Sequence, residues 1–355
     1  PLLPPDLSSW LDPVTPRPLP SPLPSPCYAA LRDLPAHKKA LFLDRMGDLR
    51  FAEKEDRFRQ RIAEQGIEQA LYEGIMEALG YKNNRFPCWI LARRLPLRLL
   101  RQLEDTLLPP DPPLFRQALF LGAGNLLPSS PPTPDRETVH YVNQLRHHWE
   151  MGRQVGEMQA EPLTWDFTGM RPANTPFRRL AALSHLLSRF SPSGFASPLV
   201  QAVTLSWQSL QQGKSPGRAL APLHRLLQVD DDPYWSYRYT LGGKRLSRAS
   251  RLLGNERIRT LLVDVVLPTL CAWARSEQRS GLVAQIHHLY TCHPCLGDNA
   301  ILRHMRHQLG EEGSQPSLIT TARRQQALLH LYHHFCREEN PHCPECALLT
   351  LVRSL

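Results

Sequence analysis

The chain has 355 residues, 42% of them hydrophobic, and a net charge of +9. That is enough apolar material for one large or two ordinary domains, and it excludes a wholly disordered chain. No run of 18 apolar residues occurs, so no membrane span and no membrane partner are expected. No secretory signal pattern is visible, which sets the expected location as cytoplasmic.

Residues 1–26, "PLLPPDLSSWLDPVTPRPLPSPLPSP", hold ten prolines and read as an extended linker. A linker at the first residue, with no initiating Met, implies a segment upstream of it. From about Glu53 the apolar period becomes helical. Phe58 and Ile62 share a face, then Ala70, Leu71, Ile75, Ala78 and Leu79 continue past Gly66 until Gly80 stops the helix. Short helices are expected around "CWILARRLP", "LRLLRQLEDTLL" and "LFRQALFLGA", parted by the proline clusters "LPPDPP" and "LPSSPPTP". Another follows near Glu137–Met151. The second half predicts helices over 176–189, 197–211, 217–227, 255–275, 281–291, 298–309 and 317–335. The best strand candidate is "YWSYRYTL", Tyr234 to Leu241. No repeat of fixed period is present. The expected fold is all-α, an irregular multi-helix bundle with Pro-rich loops. Its expected division is a linker over 1–30, an N-terminal helical subdomain over 31–160 and a C-terminal one over 161–355 that carries a cysteine tail.

That tail, "FCREENPHCPEC", places Cys336, Cys343 and Cys346 at C-x6-C-x2-C spacing. A second pair, Cys292 and Cys295 in "CHPC", could supply a fourth ligand, with His293 and His342 as alternatives. Thiolates two residues apart can share a metal, so a structural zinc or iron–sulfur cluster is the expected cofactor, against free thiols as the competing reading. Cys88 and Cys271 sit in apolar strings, where buried thiols are expected.

The charge comes from 36 Arg and only 6 Lys. Guanidinium groups match phosphate oxygens bidentately, although a GC-rich genome gives the same bias. Three strings concentrate the basic residues. "GYKNNR" carries Lys82, Asn83, Asn84 and Arg85, followed by Arg93 and Arg94 in "ARRLP". "RPANTPFRR" carries Arg171, Asn174, Arg178 and Arg179 around a helix start, and "LGGKRLSR" adds Lys244, Arg245 and Arg248. Such loops can contact phosphates or base edges of DNA or RNA. The competing reading has the asparagines capping helices and the arginines pairing with acids. Asp230, Asp231 and Asp232 in "VDDDPYW" read as a solvated turn or helix cap before a Mg2+ site. The neighbouring pairs His147–His148, His287–His288 and His333–His334 read as surface and partly buried residues.

The strings "ALYEGIMEALGYKNNRFPCWILARRLP", "GMRPANTPFRRLAAL" and "LLVDVVLPTL", with the cysteine tail, resemble the bacterial family catalogued as domain of unknown function 2851. Thr175 stands where relatives tend to have Phe. The family's C-terminal cysteine pattern matches Cys336, Cys343 and Cys346; "CHPC" is outside it. The resemblance implies that longer relatives carry an upstream nuclease-like segment, absent from this chain, which would then be the helical half and not itself an enzyme. The C-x6-C-x2-C spacing also resembles the iron–sulfur loop of endonuclease-III-type glycosylases, but Val352 occupies the place of the fourth cysteine. The functional expectation is a nucleic-acid-binding helical module of a nuclease-like protein. The alternatives are a glycosylase-like DNA-processing enzyme built on a zinc or iron–sulfur loop, and a non-catalytic interaction scaffold.

Overall fold

The computed structural model of the chain describes residues 26–32, 34–158, 162–191, 193–309, 317–336 and 345–353. The fold is all-α. Among the described residues there is no sheet, only the isolated bridges Val229–Leu253 and Pro294–Thr321. None of the helices is long and apolar enough to cross a membrane.

The helices in order are α1 (Pro26–Arg32), α2 (Ala36–Leu79), α3 (Arg85–Arg94), α4 (Leu97–Leu107), α5 (Pro112–Ala123), α6 (Arg136–Val155), α7 (Pro176–Phe190), α8 (Ala196–Gln211), α9 (Pro216–Ala219), α10 (Ala221–Leu227), α11 (Asn255–Leu261), α12 (Leu267–Ser276), α13 (Ser280–Thr291), α14 (Ala300–Gln308), α15 (Ala322–Leu331) and α16 (Ala347–Arg353). Most of the expected linker lies outside the described residues, but its last part is α1. Pro26 there opens a helix, where its fixed φ is pre-organised and no N–H is needed.

α2 starts well before Glu53, because Phe42, Leu43, Met46 and Phe51 already bury a helical stripe. It is interrupted at Gly66, whose φ of 78° and ψ of 165° leave the helical region. No neighbouring atom crowds that position, so the glycine is needed for its backbone and not for space. The single helix expected over 255–275 is α11 and α12 with a π-helical segment, Leu262–Val266, between them.

The strand expected at Tyr234–Leu241 is a series of turns. The cause is Asp232, whose Oδ1 accepts from the N–H groups of Tyr234 (2.9 Å) and Trp235 (2.6 Å), a side-chain cap that curls the backbone.

Contacts divide the chain into two compact units. The first comprises 1–60, 203–221 and 267–355; the second comprises 61–202 and 222–266. Neither is continuous along the chain. In the first unit, Phe42, Leu43, Met46, Leu302, Met305, Leu328, Leu331, Leu348 and Val352 form one apolar cluster. Polar contacts between α2 and α15 line its edge: Asp44 and Asp48 meet Arg323 and Arg324, and Arg50 and Lys54 both donate to Gln326 Oε1.

In the second unit α5 is enclosed along most of its length, from Phe115 to Ala123. Asp111 caps its start, accepting from the N–H of Leu114. It packs on α6 and α7. A buried polar network ties it to the turn at Asp232: Asp232 Oδ2 accepts from Gln117 (3.0 Å) and pairs with His185 (2.8 Å). Tyr141 donates to Gln117 and accepts from the Trp235 indole.

Candidate nucleic-acid interface

Two of the three basic strings, "GYKNNR" and "RPANTPFRR", meet in the second unit at the start of α7. "GYKNNR" is the turn between α2 and α3. Asn84 there is fully buried and exchanges two hydrogen bonds with the backbone of Asp166. Asn83 donates to the Thr168 carbonyl at 3.0 Å. Together they strap down the loop that leads to α7. Tyr81 donates to Asn174 Oδ1 at 2.9 Å, and Arg179 donates to the same atom at 2.6 Å. Only residues flanking the third string reach this place: the Tyr239 carbonyl accepts from Thr175, and the Ser250 carbonyl accepts from Arg178 at 3.0 Å.

Arg178 and Arg179 occupy the first turn of α7 and are both buried. Arg179 donates to the carbonyls of Leu252 and Ala173 as well as to Asn174. Arg178 donates to the carbonyls of Ser250 and Arg251 and lies over the Tyr239 ring. The unit's other buried arginines are neutralised: Arg116 pairs with Glu104, and Arg238 with Asp135 and Glu137. Arg178 and Arg179 have no carboxylate partner among the described residues. Each also keeps a buried Nε without a hydrogen-bond partner.

Burial pushes Arg179 down to about 10; the tyrosine at 81 opposes that shift, while Arg257 and Arg178 add to it. Burial also lowers Arg178, against opposing contributions from Tyr239, the Asp232 carboxylate and Tyr81. Cations in the first turn of a helix oppose its dipole as well. Above them sits Tyr81, held at a φ of 55°, a left-handed conformation unusual for a side chain of this size. Arg257, in the first turn of α11, stacks on the Tyr81 ring at 3.3 Å, and Arg179 lies 5.3 Å from the same ring. Lys82 and Arg171 are exposed on the flanking loops. Among the described residues none of Lys82, Arg171 and Arg257 has a carboxylate partner.

The remaining sequence candidates fall into other roles. Asn83, Asn84 and Asn174 spend their amides on the protein. Arg85 pairs with Glu77 at 2.6 Å. Arg93 stacks on Trp89, and Arg94 reaches the Ala123 carbonyl. Arg245 pairs with Glu137 and stacks on Tyr237, while Lys244 and Arg248 stay exposed. Of the three aspartates, only Asp232 is buried, as a turn cap. Sequence reasoning does not single out Tyr81 or Arg257; Arg257 carries no local signal, because its partner is remote along the chain. The clefts of this unit line α6, the larger measuring about 570 Å³ beside Asn125, Asn143, Arg146 and Glu150, and share no residue with this junction.

The expected cysteine site is described only in part. Cys343 lies outside the described residues, as does His342. Cys292 donates to the Leu289 carbonyl and Cys295 to that of Ile319. Cys336 and Cys346 pack, with Cys27, against the apolar cluster of the first unit. Among the described residues, no three potential ligands within 4.8 Å of one another include any of Cys292, Cys295, Cys336 and Cys346. His293 is buried, with its Nδ1 2.8 Å from the Pro294 carbonyl.

This all-α chain belongs to a defined sequence family. It matches the family described as "Protein of unknown function (DUF2851)" over residues 19–295, which includes every residue of the junction. No curated protein and no solved structure matches the chain.

Proposed function

We propose that the second unit binds nucleic acid through its phosphate backbone, at the junction of Lys82, Arg171, Arg257 and the buried pair Arg178–Arg179, and that the chain serves as the helical module of a nuclease-like protein. The observation that carries this reading is the buried arginine pair without a paired carboxylate. Two guanidinium groups held at a helix start with neutral oxygens for hydrogen-bond partners, and only the Asp232 carboxylate acting on Arg178, leave positive charge that a phosphate complements. Lys82 and Arg171 are exposed on loops beside the buried pair, which suits a polymer. Its asparagines are engaged within the protein, so backbone contact outweighs base readout. Tyr81, already stacked with Arg257, offers a ring edge beside the basic surface.

The experiment is fluorescence anisotropy with labelled single- and double-stranded DNA and RNA, repeated across a salt series. Each duplex phosphate contacted contributes about 0.9 to the slope of log K against log salt. Lys82→Ala and Arg171→Ala should each weaken binding and lower that slope by about 1. Absence of binding to every probe at low salt overturns the proposal, as does binding that both variants leave unchanged.

A further inference from the structure

We propose that Glu53, His330 and His334 form a binding site for a divalent transition-metal ion of the Zn2+ type in the first unit, apart from the cysteines, with both histidines beyond the segment matched to the family. One ligand atom from each of the three lies within 4.8 Å of the others. Glu53 Oε1 is 2.8 Å from His334 Nε2, and Glu53 Oε2 is 3.4 Å from His330 Nδ1. Metal–ligand bonds of about 2.0–2.1 Å in tetrahedral geometry put neighbouring ligands about 3.3 Å apart. The Glu53–His330 separation is already that edge. The Glu53–His334 contact must open by about 0.5 Å, which the half-exposed His334 side chain can do without disturbing the core.

The local fold supports this. His330 and His334 are four apart, so they share a helix face, and their ring centroids are 4.3 Å apart. Between them α15 gives way to a π-helical turn, Tyr332–Cys336, a distortion that recurs at functional sites. His330 is buried, and its Nδ1 has no hydrogen-bond partner of good geometry although it faces Glu53. A buried ring nitrogen left in that state is relieved by a metal bond. Across the seam, Arg50 and Lys54 donate to Gln326 Oε1, at 2.8 and 2.6 Å, and the Arg50 charge also acts on Glu53. Two nitrogens and one carboxylate suit zinc and its neighbours better than calcium or magnesium. The exposure of Glu53 and His334 leaves the fourth position to water.

A second trio, Glu55, Cys271 and His287, is equally close. There the guanidinium of Arg275 already pairs with Glu55 and donates to His287 Nε2 at 3.1 Å. A resident cation fills the place a metal would take, so that trio is not assigned.

The test uses the full chain stripped of metal with a chelator. Zn2+ is titrated by calorimetry, and Co2+ by absorption, where thiolate ligands announce themselves by a near-ultraviolet charge-transfer band. The expected result is a site whose cobalt d–d bands come without thiolate charge transfer. Glu53→Gln and His334→Gln should each weaken that site by about tenfold or more, through loss of one of three protein ligands, with circular dichroism unchanged. No metal binding, affinity unchanged in both variants, or a cobalt spectrum of thiolate type alone overturns the assignment. If a variant loses its fold, the cobalt spectrum of the unaltered chain decides.

Discussion

Arg179 gives the sharpest test of the interface. Burial lowers it to about 10 from an ordinary value of 12.5. A tenfold change in an acid dissociation constant is worth about 1.36 kcal/mol, so keeping this guanidinium charged costs about 3 kcal/mol at neutral pH. The sign follows from linkage. A base with a depressed folded value is protonated in both states below about 10, so the penalty is constant there, and it is relieved only as pH rises from about 10 towards 12.5. At neutral pH a bound anion would relieve it. A phosphate-bearing ligand at 100 times its Kd adds about 2.7 kcal/mol, or about 5–10 °C of melting temperature for a domain of this size class. Arg179→Met removes both the charge penalty and three hydrogen bonds, leaving a small net change without ligand. Arg116→Met instead strands the part-buried Glu104 and should cost about 1–3 kcal/mol. Differential scanning fluorimetry with and without a short oligonucleotide separates the two. The wild type and Arg116→Met should gain stability with ligand, and Arg179→Met should not. An equal gain in Arg179→Met would refute the reasoning.

Three further predictions concern the framework. Asp232 is buried, and burial raises its carboxyl; its hydrogen bonds with His185, the Trp235 N–H and Gln117, and the His185 charge, more than offset this, leaving it lowered. Its stabilisation is therefore complete above the unfolded carboxylate value of about 3.9 and lost as pH falls through the folded value. Asp232→Asn should remove about 2–3 kcal/mol at neutral pH and flatten the acid-unfolding profile; an unchanged profile would refute this. A methyl group at Gly47 would sit 2.3 Å from the Arg323 carbonyl oxygen. Gly47→Ala should cost about 1–3 kcal/mol by overpacking, read by thermal unfolding against Gly217→Ala, where nothing is crowded. Burial, with Glu77 adding to it, raises the Cys88 thiol, and burial with Glu55 pushes Cys271 up to about 12. Iodoacetamide at pH 8 should leave both unmodified in the native chain, and peptide mass mapping that finds either labelled at the rate of the unfolded chain contradicts their burial.

Helices are legible because their apolar residues recur at three- and four-residue steps, and α5 and α7 form where the strings "LFRQALFLGA" and "PFRRLAAL" predict them. What periodicity cannot convey is partnership. Asn84 looks like a capping or ligand-contacting residue in its string, and only the fold shows its amide matched to the backbone of Asp166. The aromatic run at Tyr234–Leu241 has strand-like composition, but one buried carboxylate at Asp232 redirects the backbone through hydrogen bonds that no propensity encodes. The two units share α2 and α8, so no composition shift marks where one ends. The basic strings are legible as candidates. The meeting of two of them at Tyr81, and the part of Arg257 in it, depend on contacts between segments far apart in the chain.

The arginine bias itself can be tested in the same place. Codon composition alone would make arginine and lysine interchangeable wherever a positive charge is tolerated. In the structure Arg116, Arg178, Arg179 and Arg238 are buried. A guanidinium can spread several hydrogen bonds in a plane and keeps its proton when desolvated, whereas a buried ammonium tends to lose it. Arg179 reaches the Leu252 and Ala173 carbonyls and Asn174 at once, in directions a lysine cannot reproduce. Arg179→Lys should therefore behave like Arg179→Met, losing the oligonucleotide-dependent rise in melting temperature. It should in addition be about 1–3 kcal/mol less stable, from carbonyls left unpaired. Lysine at the exposed Arg171 should bind almost as well as arginine, because a solvated phosphate contact needs only a point charge. If Arg179→Lys kept the full response, the buried arginine would be a product of composition, and the phosphate site would lose its central residue.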